Sequence, residues 1–274
     1  MSIASKMLKH CLIVVLLGLS QAAFAAEPIA KIVGGTLAPN HAYPFMVAIE
    51  INGSNFRFCG GTLIAPNKVL TAGHCLEKGS PIHVRIGTNN SAIDPGQVIN
   101  VISQARHPKY NDFTLDYDVA IFTLATPIIL SDIKNIMNLP EACSSSVCIT
   151  GLARPGSIVR TTGWGATRGN GTAFSANLRQ VDLPIVANPT CNAALKGGVT
   201  ARMQCAGFAV GGKDSCTGDS GGPLFGYLPS SRSGIQTGIV SWGVGDCGQA
   251  GLYGVYTRIS HPEIRAFIRQ QTGR

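Results

Sequence analysis

Charge is scarce in this chain. Only 13% of its 274 residues are Asp, Glu, Lys or Arg, against 45% hydrophobic, a balance that suits a packed globular protein and excludes disorder. Acids are rarer than bases, 14 against 22, for a formal net charge of +8. The cations form no dense run or regular stripe, so the excess reads as a mildly basic surface and not as a nucleic-acid site. Beyond the first two dozen residues nothing approaches the 18 uninterrupted apolar positions of a membrane helix. The nine cysteines include no CxxC pair, which argues against a zinc site. Helix-length periodicity is nearly missing too, and no internal repeat is visible.

What is present begins with "MSIASKMLKHCLIVVLLGLSQAAFAAEP". Lys6 and Lys9 precede an apolar run from Cys11 to Leu19, and the small residues Ala23 and Ala25 follow. That order predicts a secretory signal peptide over residues 1–25. A run this short does not cross roughly 30 Å of hydrocarbon, so a soluble, secreted protein is expected, periplasmic if the source is bacterial. Removing the leader removes Cys11. The eight cysteines left, at 59, 75, 143, 148, 191, 205, 216 and 247, are an even set in an exported chain and read as disulfides, with many pairings open.

The rest is dominated by short apolar segments alternating with period two and cut by Gly, Pro and Asn: "HVRIG", "QVINVIS", "DVAIFTL", "SIVRTTGWG", "RQVDLPIV", "IQTGIVSWG" and "GVYTRI". Strands at such close intervals predict an all-β protein, either one large β domain or two smaller barrels side by side. Residues 139–157, rich in Ser, Pro and Gly, read as the linker. One helix is expected, at the C-terminus over residues 260–271. There Ser260 and Glu263 match a capping box, Pro262 sits in the first turn, and Ile264, Phe267 and Ile268 share one face.

Three segments carry chemistry. "LTAGHC" holds His74, "LDYDVAIFTL" holds Asp118, and "GDSGGP" holds Ser220. A serine hydroxyl attacks a carbonyl only when a base takes its proton, and the base needs a third group to orient and stabilise it. His, Asp and Ser supply those roles. The glycines let the Gly218 and Ser220 N–H groups approach a developing oxyanion. "GDSGG" alone also fits the nucleophile elbow of α/β-hydrolases. There, however, acid and histidine follow the serine; here His261, in the helix cap, is the one histidine downstream, and a β-α repeat is missing.

With "IVGG" at Ile32, "TAGHC", "DVAIF", "GWG", "GDSGGP", "SWG" and "GVYT" in order along the chain, the sequence resembles the chymotrypsin-like, trypsin-type serine endopeptidases. The resemblance implies two six-stranded antiparallel β-barrels, roughly 45–140 and 155–258, within a peptidase domain over 32–274. It assigns the triad to His74, Asp118 and Ser220; Asp116 is the rival acid, but the family's acid directly precedes the Val-Ala pair. It sets Asp214 at the base of the pocket for the residue before the cut bond, lined by Gly243 and Gly254 with Ser215 as a further acceptor, and so implies cleavage after Lys or Arg. It makes residues 26–31 a propeptide released by a cut after Lys31, by another trypsin-like enzyme or by the protein itself. The new amino group of Ile32 would then pair with Asp219. Leader and propeptide gone, the net charge is +6.

Family pairings are Cys59–Cys75, Cys191–Cys205 and Cys216–Cys247, leaving Cys143 and Cys148 for each other. "IGTNNSAIDPGQ" lacks the two glutamates of the vertebrate trypsin calcium loop, so neither a metal nor a cofactor is expected. Partners are peptide and protein substrates with Lys or Arg before the cut bond, an activating protease and proteinaceous inhibitors, with no nucleic acid and no membrane, and a monomer is expected. The alternative reading is a catalytically silent homologue that acts by binding.

Overall fold

The computed structural model describes residues 32–53, 57–76, 79–90, 92–142, 151–227 and 234–273. Six strands, β2 (Met46–Ile51), β3 (Arg57–Ala65), β4 (Lys68–Thr71), β5 (Ile82–Ile86), β6 (Gln97–Arg106) and β7 (Ala120–Leu124), close a first antiparallel barrel. Six more, β8 (Ile158–Gly163), β9 (Arg179–Val186), β10 (Met203–Ala206), β11 (Pro223–Tyr227), β12 (Gly234–Trp242) and β13 (Gly254–Arg258), close a second, and the two-residue β1 (Thr36–Leu37) adds to the outside of β9. This is the expected all-β double barrel. In β9 the period of two is explicit: Arg179, Val181, Leu183 and Ile185 are buried and the residues between them half-buried. Successive side chains of a strand point to opposite faces, so one face fills the barrel.

Each barrel has its own core. Val47, Ile49, Leu63, Val84 and Phe122 fill the first, and Ile32, Val159, Leu183, Leu224 and Tyr256 the second. Between them lies an aromatic seam in which Phe225 meets Tyr43 at 5.5 Å and Phe45 at 5.3 Å, both edge-on, the preferred geometry for such rings.

Two helices occur. α1 (Asn188–Ala194) has no counterpart in the sequence reading; its seven residues include one buried position, Cys191, too few for an apolar period. α2 (Pro262–Thr272) is the expected C-terminal helix, and Ile264, Phe267 and Ile268 dock it onto the core of the first barrel. Its start differs from the expected capping box. The N-cap is His261, with no side-chain cap bond. The Glu263 carboxylate turns outward to Lys109 Nζ at 2.5 Å and to the Tyr117 hydroxyl at 3.1 Å. A long-range cation outcompetes the local cap.

Candidate active site

His74 lies in the 3-10 turn Gly73–Cys75 that follows β4, and Asp118 lies one residue before Val119 at the mouth of β7. Space is tight at the turn: a Cβ on Gly73 would stand 3.1 Å from the Tyr110 ring and 3.2 Å from Asp118 Oδ1. With that space open, the His74 backbone N–H donates to Asp118 Oδ1 at 2.9 Å and its Nδ1 lies 2.8 Å from Asp118 Oδ2. Asp118 is fully buried, whereas the His74 side chain is 25% exposed. A third group, unforeseen in the sequence, completes the acid's surroundings. Ser241 Oγ donates to Asp118 Oδ2 at 2.5 Å, and Thr257 Oγ1 donates to the Asp118 carbonyl at 2.7 Å. Both come from the second barrel. "SWG" was the signal that could have found Ser241, but nothing in a Ser-Trp-Gly string says which acid its hydroxyl meets.

Ser220 sits in the loop before β11, half-buried. Its carbonyl accepts the Gly60 N–H at 2.7 Å, which ties the loop to the first barrel. Gly221 adopts φ +79°, and a Cβ there would fall 2.1 Å from Thr71 Oγ1 and 3.1 Å from the Ala72 nitrogen, so glycine alone lets the serine loop lie against the strand that leads to His74. Gly218 has φ +91°. Among the described residues neither the Gly218 nor the Ser220 N–H donates to any other group, and no hydrogen bond joins Ser220 Oγ to His74 Nε2. Such contacts are often long in ligand-free sites.

Beside Ser220 opens a cavity of about 230 Å³ lined by Asp214, Ser215, Trp242, Gly243 and Gly254 among others. At its floor the Asp214 Oδ2 accepts the Gly248 N–H at 3.1 Å, while Oδ1 is buried without a partner among the described residues. Burial pushes this carboxyl up to about 7, a pull that the Gly248 N–H opposes only in part. Gly254 walls the floor, since a Cβ there would stand 2.8 Å from Asp214 Oδ1, and Gly243 faces open space. Ser215 Oγ is engaged with the Tyr256 hydroxyl at 3.1 Å.

Asp219 points the other way, into the second barrel. It is buried, accepts N–H groups from Gly165 and Cys216 at 2.9 Å each, and is raised to about 6 by burial. Glycines at 163 and 165 make room for it: a Cβ at either would fall within 2.5 Å of its carboxyl group. Ile32 is buried in the adjoining core. Lys31 lies outside the described residues, as do Cys143 and Cys148. Asp116, the rival acid, is held away from His74 by Arg202 and Thr200.

The disulfides Cys59–Cys75, Cys191–Cys205 and Cys216–Cys247 are present, closing separations of 16, 14 and 31 residues; a loop of about 15 residues contributes roughly 3 kcal/mol by restricting the unfolded chain. The first braces the His74 turn and the last the pocket wall. Cys59, His74 and Cys75 have ligand atoms within 4.8 Å of one another, but the two sulfurs are bonded to each other and offer no thiolate to a metal.

Two closed six-stranded barrels that meet on a glycine-flanked serine define the chymotrypsin-like class. The comparisons narrow it. The trypsin family profile matches residues 32–268. The chain is 40% identical over 246 residues to trypsin 5G1 of Aedes aegypti, covering 89% of this chain and 85% of that one. It is 37% identical over 254 residues to a trypsin of Xenopus laevis, covering 92% and 94%, and 39% identical to the anionic trypsin of Canis lupus familiaris, covering 84% and 85%. The chain therefore belongs to the trypsin family and is a serine endopeptidase.

Proposed function

We propose that the protein hydrolyses peptide bonds after Lys or Arg through an acyl-enzyme formed on Ser220. His74 takes the serine proton and later returns a proton to the leaving amine, and Asp118 orients the imidazole and stabilises it when charged. The N–H groups of Gly218 and Ser220 bind the oxyanion; one such donor typically contributes ~2.7–4 kcal/mol to the transition state. Asp214, with Gly243 and Gly254 leaving the pocket open, receives the cationic side chain, and Ser215 supplies a polar wall. The observation that carries the reading is the unpartnered Asp214 Oδ1 on the floor of a cavity that reaches Ser220. A carboxylate oxygen buried without a donor is costly, and a lysine ammonium or arginine guanidinium is the donor that fits.

Around this centre stands the processing scheme: a signal peptide over 1–25, a propeptide over 26–31, and a secreted, monomeric enzyme from Ile32 onward, with proteinaceous inhibitors among its partners. The cut after Lys31 frees the Ile32 ammonium to pair with Asp219. Supporting this, Asp219 is buried with two N–H donors and no cation among the described residues, and burial alone raises its carboxyl.

Digestion of a peptide library by the activated enzyme, read by mass spectrometry, tests the reading. Cleavage after Lys and Arg is expected, with loss of that preference by orders of magnitude in Asp214→Ser, whose pocket no longer pairs a cation. An Asp214→Ser enzyme that still cuts after arginine at the parent rate ends the assignment.

A further inference from the structure

The acid of the site sits at the end of a turn that ordinary residues resist. Leu115 has φ +51° and Tyr117 has φ +54°, a left-handed conformation uncommon for bulky side chains and held only where the surroundings impose it. Asp116 lies between them, and Asp118 follows at once. Part of the restraint is local: the Asn111 carbonyl accepts the Leu115 N–H at 2.8 Å, and Asn111 Oδ1 accepts those of Phe113 and Thr114 at 2.9 Å each. None of these bonds reaches Tyr117.

Tyr117 is held from its own side by the Glu263 carboxylate on its hydroxyl at 3.1 Å and by the Val119 N–H on its carbonyl at 2.8 Å. A further hold comes from the other barrel. Arg202 Nε donates to Asp116 Oδ1 at 3.1 Å and Nη2 to Oδ2, a two-pronged pair, and Thr200 Oγ1 adds a bond to Oδ1 at 2.9 Å. The same Asp116 Oδ1 accepts the Tyr117 N–H at 3.0 Å. The Arg202 guanidinium also lies over the Tyr117 ring at 5.0 Å, with His107 stacked on that ring at 4.7 Å. Arg202 is thus fixed to both residues before Asp118. It is itself anchored: its carbonyl accepts the Arg258 N–H at 2.8 Å, one residue from Thr257, whose hydroxyl holds the Asp118 carbonyl. The pair is mostly shielded, the side chains being 26% and 14% exposed. An Arg fork on a carboxylate fixes orientation as well as charge.

We propose that Arg202 is a positioning residue of the proteolytic site, a strut from the second barrel that holds the Asp116–Tyr117 turn in its left-handed form and so delivers Asp118 to His74. The inference rests on the triad reading above. Relaxing Tyr117 to a negative φ rotates the peptide bond that leads into Asp118, and the two contacts with His74 are lost together. Arg202 touches neither substrate nor Ser220; it acts through Asp118.

The test is Arg202→Gln, which keeps much of the length and removes the charged fork. With a small Lys ester and a small Lys amide, kcat falls roughly tenfold to a hundredfold, the cost typical of a modest misplacement of a reacting group, while KM changes little. The low-field proton resonance of His74 Nδ1, bonded to Asp118, shifts or broadens. Tyr117→Asn supplies the discriminating background, because Asn accepts the left-handed region more readily; there the Arg202→Gln loss shrinks. Should Arg202→Gln not fold, Arg202→Lys, which retains charge without the fork, shows the same pattern at smaller amplitude. An unchanged kcat and an unchanged His74 resonance overturn the inference, as does a loss that Tyr117→Asn leaves undiminished. A fluorophosphonate that fails to label Ser220 in the parent enzyme strikes the triad reading instead.

Discussion

Among the described residues the first barrel holds two histidine–carboxylate pairs of equal length. His74 Nδ1 stands 2.8 Å from Asp118, and His83 Nε2 stands 2.8 Å from Glu50. Both acids are fully buried, yet the sites have nothing else in common. Glu50 meets a cation: Arg85 Nε lies 3.1 Å from Oε1 and Nη2 lies 2.9 Å from Oε2. The other nitrogen of His83 is taken by Asn52 Oδ1 at 2.7 Å. Both imidazole nitrogens and both carboxylate oxygens of that cluster have partners, so it locks β2 to β5 and has nothing left to offer a substrate. The Asp118 carboxylate has instead one neutral hydroxyl, from Ser241, and one N–H besides the imidazole, and among the described residues no Arg or Lys reaches it. His74 keeps Nε2 uncommitted and is partly exposed to the cleft. A His–carboxylate distance therefore says little about chemistry. The third partner of the acid and the second nitrogen of the imidazole decide it.

Removing each imidazole in turn gives the widest separation. His74→Ala should lower kcat by about 10⁴–10⁶-fold, the range for loss of the base in such a triad, with thermal stability nearly unchanged. His83→Gln should leave peptide hydrolysis within a few-fold of the parent and lower the unfolding midpoint. Hydrolysis rates beside melting curves check both. A His83→Gln enzyme that folds as well as the parent but loses turnover would break the comparison at its root.

The acids separate the two sites on the stability axis. Glu50→Gln leaves Arg85 in a shielded position without its counter-charge, and breaking a buried pair from one side costs about 3–5 kcal/mol. Denaturant titration should show a loss in that range. Asp118→Asn, with no cation left stranded, should cost less stability than Glu50→Gln while costing far more activity. Equal destabilisation by the two would mean that the Arg85 fork contributes little.

The sequence made one of these pairs legible and not the other. His74, Asp118 and Ser220 stand in short strings whose glycines keep close approaches open, most plainly Gly221, which admits Thr71. Strand alternation was readable for a similar reason, since period two follows from backbone geometry alone. Glu50, His83 and Arg85 occupy the polar phase of the same alternation in "VAIEI" and "IHVRI", on the face opposite Ile49 and Val84, the phase that faces solvent in a half-buried strand. They are buried. Alternation tells which face a residue takes and nothing of what covers that face. Ser241 and the start of α2 escaped because each depends on a partner more than a hundred residues away, and α1 because it is too short to show a period.

Asp214 extends the comparison to a carboxylate with neither histidine nor cation, and its consequence is a pH effect. Its carboxyl is pushed up to about 7 by burial, against roughly 3.9 in an unfolded chain. Between those values the folded protein holds more protons than the unfolded one, so this group makes stability fall as pH rises through the window. A bound amidinium reverses the preference, because it pairs with the ionised form. Benzamidine affinity should then drop about tenfold per unit as pH is lowered below about 7, and level off above it. Binding at about pH 6 should release close to one proton, measurable by calorimetry in two buffers of different ionisation enthalpy. The His74→Ala enzyme is the material for this experiment, since without its base it does not digest itself during the titration. Adding Asp214→Ser should remove both the pH slope and most of the affinity. A flat affinity across the window, with no proton released, would mean that the empty pocket already holds its carboxylate ionised and that Asp214 is hydrated or paired in solution.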